Sequence, residues 1–173
     1  MLDGVRNWER NVIVPASAVT KATTTIGWRE DIGLPELGLP VVRAKIDTGA
    51  RTSALHATNV ERFEQNGATW VRFCVPDPDG SEWHVCQAPL IEERSIKNTS
   101  GISELRPIIS TKLVLARRHW HIELSLADRF NMGFDLILGR TAIRGHRILV
   151  NPGRSNLAGK PATLPFNAPE KTT

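Results

Sequence analysis

Apolar and polar residues alternate with a period of two in several separate stretches of this 173-residue chain. The clearest stretch is 119–126, where every even position is apolar, and similar alternation occurs at 42–46, 71–75 and 82–86. Side chains along a strand point alternately to the two faces of a sheet, so this pattern predicts half-buried strands. The chain is therefore expected to be built mainly from β-strands.

Turn and breaker residues divide these strands. Asn66-Gly67 is typical of a tight β-hairpin. Residues 134–138 form a short, mostly apolar run that predicts a buried strand. Residues 139–144 could then form a short helix with Gly145 as its stop, before a closing strand at 148–150. About eight or nine strands and one short helix predict an all-β domain, a closed barrel or a sandwich.

The composition predicts three segments: a flexible N-terminal segment at 1–24, one domain at 25–152 and a flexible C-terminal tail at 153–173. No apolar run approaches the roughly 20 residues of a membrane helix, and the N-terminus lacks a signal-peptide core. We therefore expect a cytoplasmic protein without a membrane partner. Two cysteines, Cys74 and Cys86, are too few for a disulfide framework. The net charge of +4 is compatible with an acidic partner.

The tripeptide Asp47-Thr48-Gly49 follows directly on a predicted strand, and each of its residues has a separable role. A carboxylate at the end of a strand can face a cleft. A glycine two residues later lets the backbone turn tightly and lets another chain approach. The threonine hydroxyl can bond to a neighbouring backbone or to a twin loop. Taken alone, the tripeptide does not distinguish an active site from a common turn.

Four blocks of sequence together carry a family resemblance. Residues 44–57 read AKIDTGARTSALHA, and the later blocks are 70–73, 120–124 and 138–142. A strand ending in Asp-Thr-Gly-Ala, followed by hairpins and then by Ile-Leu-Gly-Arg and a helix, resembles the retropepsins. The match is closer to the bacterial RimB-type group, often labelled "ATP-dependent zinc protease". The resemblance runs from about residue 26 to 152 and implies a retropepsin-like fold with aspartic peptidase activity. From the residues themselves we expect no cofactor.

Aspartic peptidase chemistry needs two carboxylates about 3 Å apart that share one proton. The ionised carboxylate takes a proton from the attacking water, and the other donates to the oxygen of the scissile carbonyl. This chain has one Asp-Thr-Gly, so the second carboxylate must come from another subunit, and a two-fold homodimer is expected. The predicted catalytic residues are Asp47, Thr48 and Gly49, the last two forming loop contacts around the two-fold axis.

Ala50, Arg51 and Arg140 are the predicted substrate-binding residues. Viral retropepsins usually carry an acidic residue where this chain has Arg51, and that residue pairs with the arginine of the Gly-Arg motif, here Arg140. We hypothesise that Arg51 binds an acidic substrate side chain. The alternative is an internal ion pair with Asp135 or Glu123. RimB-type members act with a glutamate ligase and trim an oligo-glutamate tail on a small-subunit ribosomal protein, so the resemblance implies an acidic protein substrate.

A β-hairpin flap is expected to close over the substrate and exclude water. Two stretches are candidates for its tip, Asp77–Gly80 and Ser95–Ser103, and the sequence does not choose between them. His56 could lie near the cleft and tune the response to pH, or could be an ordinary polar strand residue. The roles of His119 and His121 are left open.

The zinc and ATP of the group label find little support in the sequence. No histidine is followed by glutamate, so the His-Glu-x-x-His signature of zinc peptidases is missing. Gly153–Lys160 lacks the spacing of a phosphate-binding loop, so we expect no nucleotide. Two alternatives to the peptidase stay open, a non-catalytic peptide-binding β module and a zinc-dependent hydrolase. A looser zinc site could draw on these side chains: Cys74, His84, Cys86, His119 and His121.

Overall fold

The computed structural model describes residues 22–77, 82–97, 101–129 and 132–164, and this part of the chain is mostly β. It confirms an all-β domain with one short helix, with more strands than the sequence predicts. The additional strands lie in stretches such as 29–34, where apolar and polar residues do not alternate regularly. The elements are β1 (Thr24–Gly27), β2 (Arg29–Leu34), a 3₁₀ turn (Pro35–Leu37), β3 (Leu39–Asp47), β4 (Ser53–His56), β5 (Thr58–Gln65), β6 (Ala68–Pro76), β7 (Trp83–Lys97), β8 (Ser103–Leu115), β9 (Arg118–Ala127), β10 (Leu136–Gly139), α1 (Arg140–Ile143) and β11 (Ile148–Asn151).

Nine of these strands form one sheet in the order β2-β3-β10-β4-β9-β8-β7-β6-β5. Strand β10 lies inside it, parallel to β3 and antiparallel to β4. A single pairing of Gly33 with Val114 brings β2 back against β8. Strands β1 and β11 pair in parallel as a separate two-stranded sheet. The C-terminal ends of β3 and β10 therefore lie side by side, and the Asp-Thr-Gly loop leaves the sheet there.

Alternation predicts the buried faces of most strands correctly. Strand β7 is the exception, because Trp83 and Val85 are 48% and 64% exposed while Cys86 is buried. Cys86 pairs directly with Phe73 of β6, and paired residues share a face of the sheet, so Cys86 must face the core with Phe73. The inward-facing residues of β6 and β9 are buried as predicted: Val71, Phe73, Val75, Ile122, Leu124 and Leu126.

The local turn predictions are also confirmed. Asn66 and Gly67 both have positive φ, at 52° and 75°, and join β5 to β6 as a two-residue hairpin. This left-handed conformation at both central positions is the one that favours an Asn-Gly pair. Gly145 follows α1 with a φ of 84°, in agreement with its predicted role as the helix stop.

Residues 153–162, in the segment predicted to be a flexible tail, make backbone hydrogen bonds to the domain. The carbonyl of Arg154 accepts a hydrogen bond from the amide of Trp28 at 2.8 Å, and the amide of Asn156 donates to Arg29 at 2.8 Å. The amide of Ala162 donates to Ala116 at 2.7 Å. The segment thus packs against the domain without regular secondary structure. Residues 1–21 and 165–173, the rest of the two predicted flexible segments, lie outside the described residues. No helix in the described ranges is long and apolar enough to cross a membrane.

Candidate active site

Asp47 is the last residue of β3, and its carboxylate is held in place by the loop that follows it. Its Oδ1 accepts hydrogen bonds from the amide of Gly49 at 3.1 Å and from the amide of Ala50 at 3.0 Å. Asp47 is half-buried, whereas Thr48 and Gly49 are exposed. Among the described residues, no hydrogen bond involves Asp47 Oδ2 or the Thr48 hydroxyl. One carboxylate oxygen is therefore fixed by the backbone while the other is available to a partner.

The loop at residues 47–52, which we term the Asp47 loop, is anchored by the start of α1. The first amides of a helix lack partners within the helix. Here the amide of Arg140 donates to the carbonyl of Ala50 at 2.9 Å, and that of Thr141 donates to Arg51 at 3.2 Å. The Thr141 hydroxyl donates to the same Arg51 carbonyl at 2.7 Å. The helix predicted at 139–144 thus holds the loop that carries the acid.

Arg140 adds a side-chain contact to this anchor. Its guanidinium donates to the carbonyl of Gly49 at 2.9 Å. Arg140 lacks the acidic partner that is usual in this motif, and it binds a backbone oxygen of the Asp47 loop instead. Substrate contacts by Ala50, Arg51 and Arg140 stay predictions. Within one subunit, the Arg140 side chain holds the Asp47 loop in position.

Two buried serines that the sequence analysis did not single out connect the loop to the sheet. The Ser53 hydroxyl accepts a hydrogen bond from the amide of Gly139 at 3.0 Å. The Ser125 hydroxyl donates to the carbonyl of Ser53 at 3.0 Å. Both serines are at most 1% exposed. A small polar residue in a strand that is otherwise buried was the signal available for them, because a buried hydroxyl needs a partner.

Gly139 lies so close to the Asp47 loop that any side chain would displace it. A Cβ atom at this position would lie 2.7 Å from the carbonyl carbon of Thr52 and 2.9 Å from the carbonyl oxygen of Arg51. Both contacts are to backbone, so a side-chain rotation cannot relieve them. The glycine of the Leu-Gly-Arg block is thus required by close packing.

We expect Gly139→Ala to lower stability by about 1–3 kcal/mol through overpacking and to lower activity by at least about tenfold. The activity falls because the Asp47 carboxylate must shift with its loop. Gly153→Ala is the matched control, since its Cβ would meet only Asn151 Oδ1 at an ordinary 3.4 Å. Urea unfolding and peptide cleavage measure the two effects. A Gly139→Ala protein with wild-type activity would contradict this account of the glycine.

Strand register shows which side chains share a sheet face with Asp47. Asp47 pairs with Gly139, two residues after Ile137, and Ile137 pairs with Ala54. Ala54 pairs with Ser125, and Ser125 pairs with Ile108 two residues after Arg106. Because paired residues point the same way and residues two apart share a face, all these side chains lie on one side of the sheet. We term this side the Asp47 face: Asp47, Ala54, Arg106, Ile108, Ser125 and Ile137.

Arg129 lies beside this face, two residues beyond the end of β9. It is half-buried, and its Nε makes only a long hydrogen bond of 3.4 Å to the carbonyl of Phe134. Burial lowers the pKa of its guanidinium, and the charge of Arg106 lowers it further, while Asp47 and Asp135 act in the opposite direction. Asp47 therefore lies within electrostatic reach of a partly desolvated cation. Arg129 was not identified from the sequence, although it lies just beyond the end of the clearest strand, as Asp47 lies at the end of β3.

The structure describes the surroundings of His56 and Arg51, two side chains whose roles the sequence leaves open. His56 is 2% exposed, and its Nδ1 accepts a hydrogen bond from the backbone amide of Arg129 at 2.9 Å. Its ring centroid lies 6.1 Å from that of Trp83. Arg51 is exposed and forms no ion pair with any described residue, and Glu123 pairs with Arg94 at 2.9 Å instead. Residues 78–80 and 98–100, at the tips of the two candidate flaps, lie outside the described residues.

The candidate zinc ligands do not converge in the described parts of the chain. His84 contacts Asp77, and His121 Nε2 lies 3.2 Å from Glu36 Oε1. The Cys86 thiol is buried and donates to the carbonyl of Leu37 at 3.3 Å. No group of three or more possible metal-binding side chains occurs among the residues described. His84, His121 and Cys86 therefore each contact a different partner.

Cys86 is expected to resist alkylation in the folded protein. Burial, with a smaller contribution from Cys74, raises the pKa of the Cys86 thiol to about 12. Since a raised pKa keeps the thiol protonated, only about one molecule in 10⁴ carries the thiolate at pH 8. Iodoacetamide should label Cys86 in urea but not in the native state, with the partly exposed Cys74 as internal comparison. Peptide mapping by mass spectrometry measures both sites, and rapid native labelling of Cys86 would contradict its burial.

The chain is similar to several known proteins. Two bacterial proteins named probable alpha-L-glutamate ligase match it. The one from Desulfotalea psychrophila is 43% identical over 133 residues, which cover 76% of this chain and 28% of that protein. The one from Parasynechococcus marenigrum is 42% identical over 136 residues, which cover 78% and 29% respectively. The chain thus spans less than a third of the length of these relatives.

A solved structure shares the fold. The crystal structure of a protein of unknown function from Legionella pneumophila superposes with a TM-score of 0.67 at 26% identity, covering 79% of this chain and 99% of that chain. The sequence model of a family described as RimB-like, retropepsin-like aspartic endopeptidase RimB, matches residues 25–161. This match includes the Asp47 loop, α1 and the segment that packs along the domain. The chain therefore belongs to the RimB-like family of retropepsin-like aspartic endopeptidases.

Proposed function

We propose that this protein is an aspartic endopeptidase whose catalytic pair consists of Asp47 from each of two subunits. The observation that carries the proposal is the fixed carboxylate of Asp47, held by the amides of Gly49 and Ala50. The loop is in turn held by Arg140. A binding module would need neither this acid nor its anchor, whereas a catalytic carboxylate must be held close to its productive geometry.

The proposed dimer follows from the chemistry. One carboxylate of the pair accepts a proton from water as the water attacks the scissile carbonyl, and the other donates a proton to the carbonyl oxygen. Each subunit supplies one Asp47, so a two-fold axis beside the Asp47 loop is required. The exposed Thr48 and Gly49 are the residues proposed to meet their copies around that axis.

The proposed substrate is an acidic protein tail bound in an extended form. The net charge of +4 and the exposed Arg51 next to the acid favour carboxylate-rich peptides. Relatives named for glutamate ligation share this domain within a longer chain, which links it to proteins that carry added glutamates. Together with the family resemblance, this supports trimming of an oligo-glutamate tail on a small-subunit ribosomal protein. Extended peptides bind such sites by strand addition.

The test is cleavage of a peptide ending in a run of glutamates, with and without a metal chelator, alongside sedimentation of the protein. Cleavage that survives the chelator, in a dimeric protein, is the expected result. Cleavage lost to the chelator would instead favour a zinc-dependent hydrolase. Tight binding without cleavage would favour the non-catalytic peptide-binding module.

A further inference from the structure

Arg129 is a cation near Asp47 whose charge is poorly compensated within the described parts of the chain. It is half-buried and forms no ion pair within 4.0 Å among the described residues, and its side-chain hydrogen bond to Phe134 is long at 3.4 Å. A partly buried guanidinium without a carboxylate partner loses hydration that nothing restores. Its five N–H donors can bind a carboxylate through two parallel hydrogen bonds. The site thus has an unfilled requirement for an anion.

Arg106 increases the positive charge around Arg129. Its side chain is 11% exposed and pairs with Glu104 at 2.7 Å. Directly across the strand pair lies Arg94, which is neutralised by Glu92 and by Glu123. The acids that balance Arg94 and Arg106 are therefore already engaged. Arg129 is left with only the longer-range attraction of Asp47 and Asp135.

The backbone of Arg129 is fixed, so its side chain is presented from a defined position. The buried ring of His56 accepts the Arg129 amide at 2.9 Å. His56 belongs to β4, which pairs with β10 beside Asp47. The same sheet therefore positions the acid and the cation, as expected for two parts of one substrate site.

We propose that Arg129, supported by Arg106, binds a carboxylate side chain of the substrate beside Asp47 and so determines a preference for glutamate or aspartate. This inference rests on the proposed function in that a peptide occupies the Asp47 site. It differs from the earlier hypothesis for Arg51, which is exposed and whose charge is screened by water. A half-buried arginine discriminates more strongly, because leaving it unpaired costs more.

The test compares two peptides that differ only by glutamate or glutamine. Binding is measured in an Asp47→Asn background, and kcat/KM is measured with Asp47 intact. Arg129→Met keeps the apolar stem and removes the charge, while Arg129→Lys keeps the charge and loses the two-point geometry. Arg117→Met, at an exposed turn, is the control for net charge. Arg51→Met tests the rival residue.

Arg129→Met is expected to weaken binding of the glutamate peptide by about 10- to 100-fold and to leave the glutamine peptide unchanged, with Arg129→Lys in between. The preference should persist in Arg117→Met. If the preference depends on Arg129 but neither peptide is cleaved, the carboxylate site stands and the peptidase function fails. An unchanged preference in Arg129→Met, its loss in Arg51→Met alone, or no preference in the unmodified site would each overturn the proposal.

Discussion

Replacing Asp47 by asparagine is expected to lower kcat/KM at least about 10³-fold while leaving the fold intact. An amide cannot accept the proton of the attacking water, so both halves of the dyad lose their acid–base function. The amide oxygen can still accept the two hydrogen bonds from Gly49 and Ala50 that the Oδ1 of Asp47 accepts now. The loop should therefore keep its conformation. The free energy of unfolding, measured in urea, should change by less than about 0.5 kcal/mol.

Glu61→Gln is the control for removing a carboxylate, because Glu61 is exposed on β5, away from the Asp47 loop. It should leave both activity and stability unchanged. Activity that persists in Asp47→Asn would rule out the proposed pair of catalytic Asp47 carboxylates. Loss of activity together with a large loss of stability would mean that Asp47 has a structural role beyond the one described.

Mixing the two proteins tests whether the dyad is shared between subunits. If subunits exchange freely, a ninefold excess of Asp47→Asn leaves about one wild-type subunit in ten paired with another wild-type subunit. Activity per wild-type subunit should then fall about tenfold. A monomeric enzyme would keep its activity under the same mixture, so the result separates a shared pair of Asp47 carboxylates from a single acid in each chain.

The parts of the fold and of the candidate site that the sequence predicts depend on residues close together in the chain. Strand β3 alternates up to Asp47, and Asn66-Gly67 specifies its own turn. The short helix after Gly139 follows from a contiguous motif. Each of these features depends on residues a few positions apart, so pattern and turn chemistry are sufficient to predict them.

The parts that sequence reasoning missed depend on register between distant strands. Arg106 reaches the Asp47 face only because β8, β9, β4 and β10 pair in one particular alignment. A shift of one residue would move Arg106 to the opposite face. Trp83 and Val85 are exposed for the same reason, since the pairing of Phe73 with Cys86 decides which face of β7 is buried.

The contacts that the C-terminal segment at 153–162 makes with the domain could not be predicted from its sequence, and Glu30 explains them. Glu30 is fully buried, and its carboxylate accepts hydrogen bonds from the amides of Leu157 at 2.8 Å, Ala158 at 3.1 Å and Gly27. Glycine and proline in this segment correctly exclude a helix or a regular strand. They carry no information about a partner about 127 positions earlier in the chain.

Glu30→Gln is expected to destabilise the protein by about 3–5 kcal/mol, because a buried group that accepts three amides would present an N–H₂ to at least one of them. This is a large share of the roughly 5–15 kcal/mol that stabilises a typical domain. Urea unfolding measures the loss, with Glu61→Gln as the exposed control. Hydrogen exchange should accelerate at Leu157 and Ala158. A change below about 1 kcal/mol would mean that the segment is held mainly by its backbone contacts.

Glu30→Gln should also affect the candidate active site, through two further hydrogen bonds. The amide of Trp28 donates to the carbonyl of Arg154, and the carbonyl of Trp28 accepts the amide of Ile46, both at 2.8 Å. Ile46 immediately precedes Asp47, the proposed catalytic acid. If Glu30 holds the segment and the segment holds Trp28, then Glu30→Gln should also speed hydrogen exchange at Ile46 and lower kcat/KM at temperatures where the protein is still folded. Faster exchange at Leu157 without any change at Ile46 would confine the role of Glu30 to the C-terminal segment. The position of the Asp47 loop would then depend on the contacts of Ser53, Gly139, Arg140 and Thr141 described above.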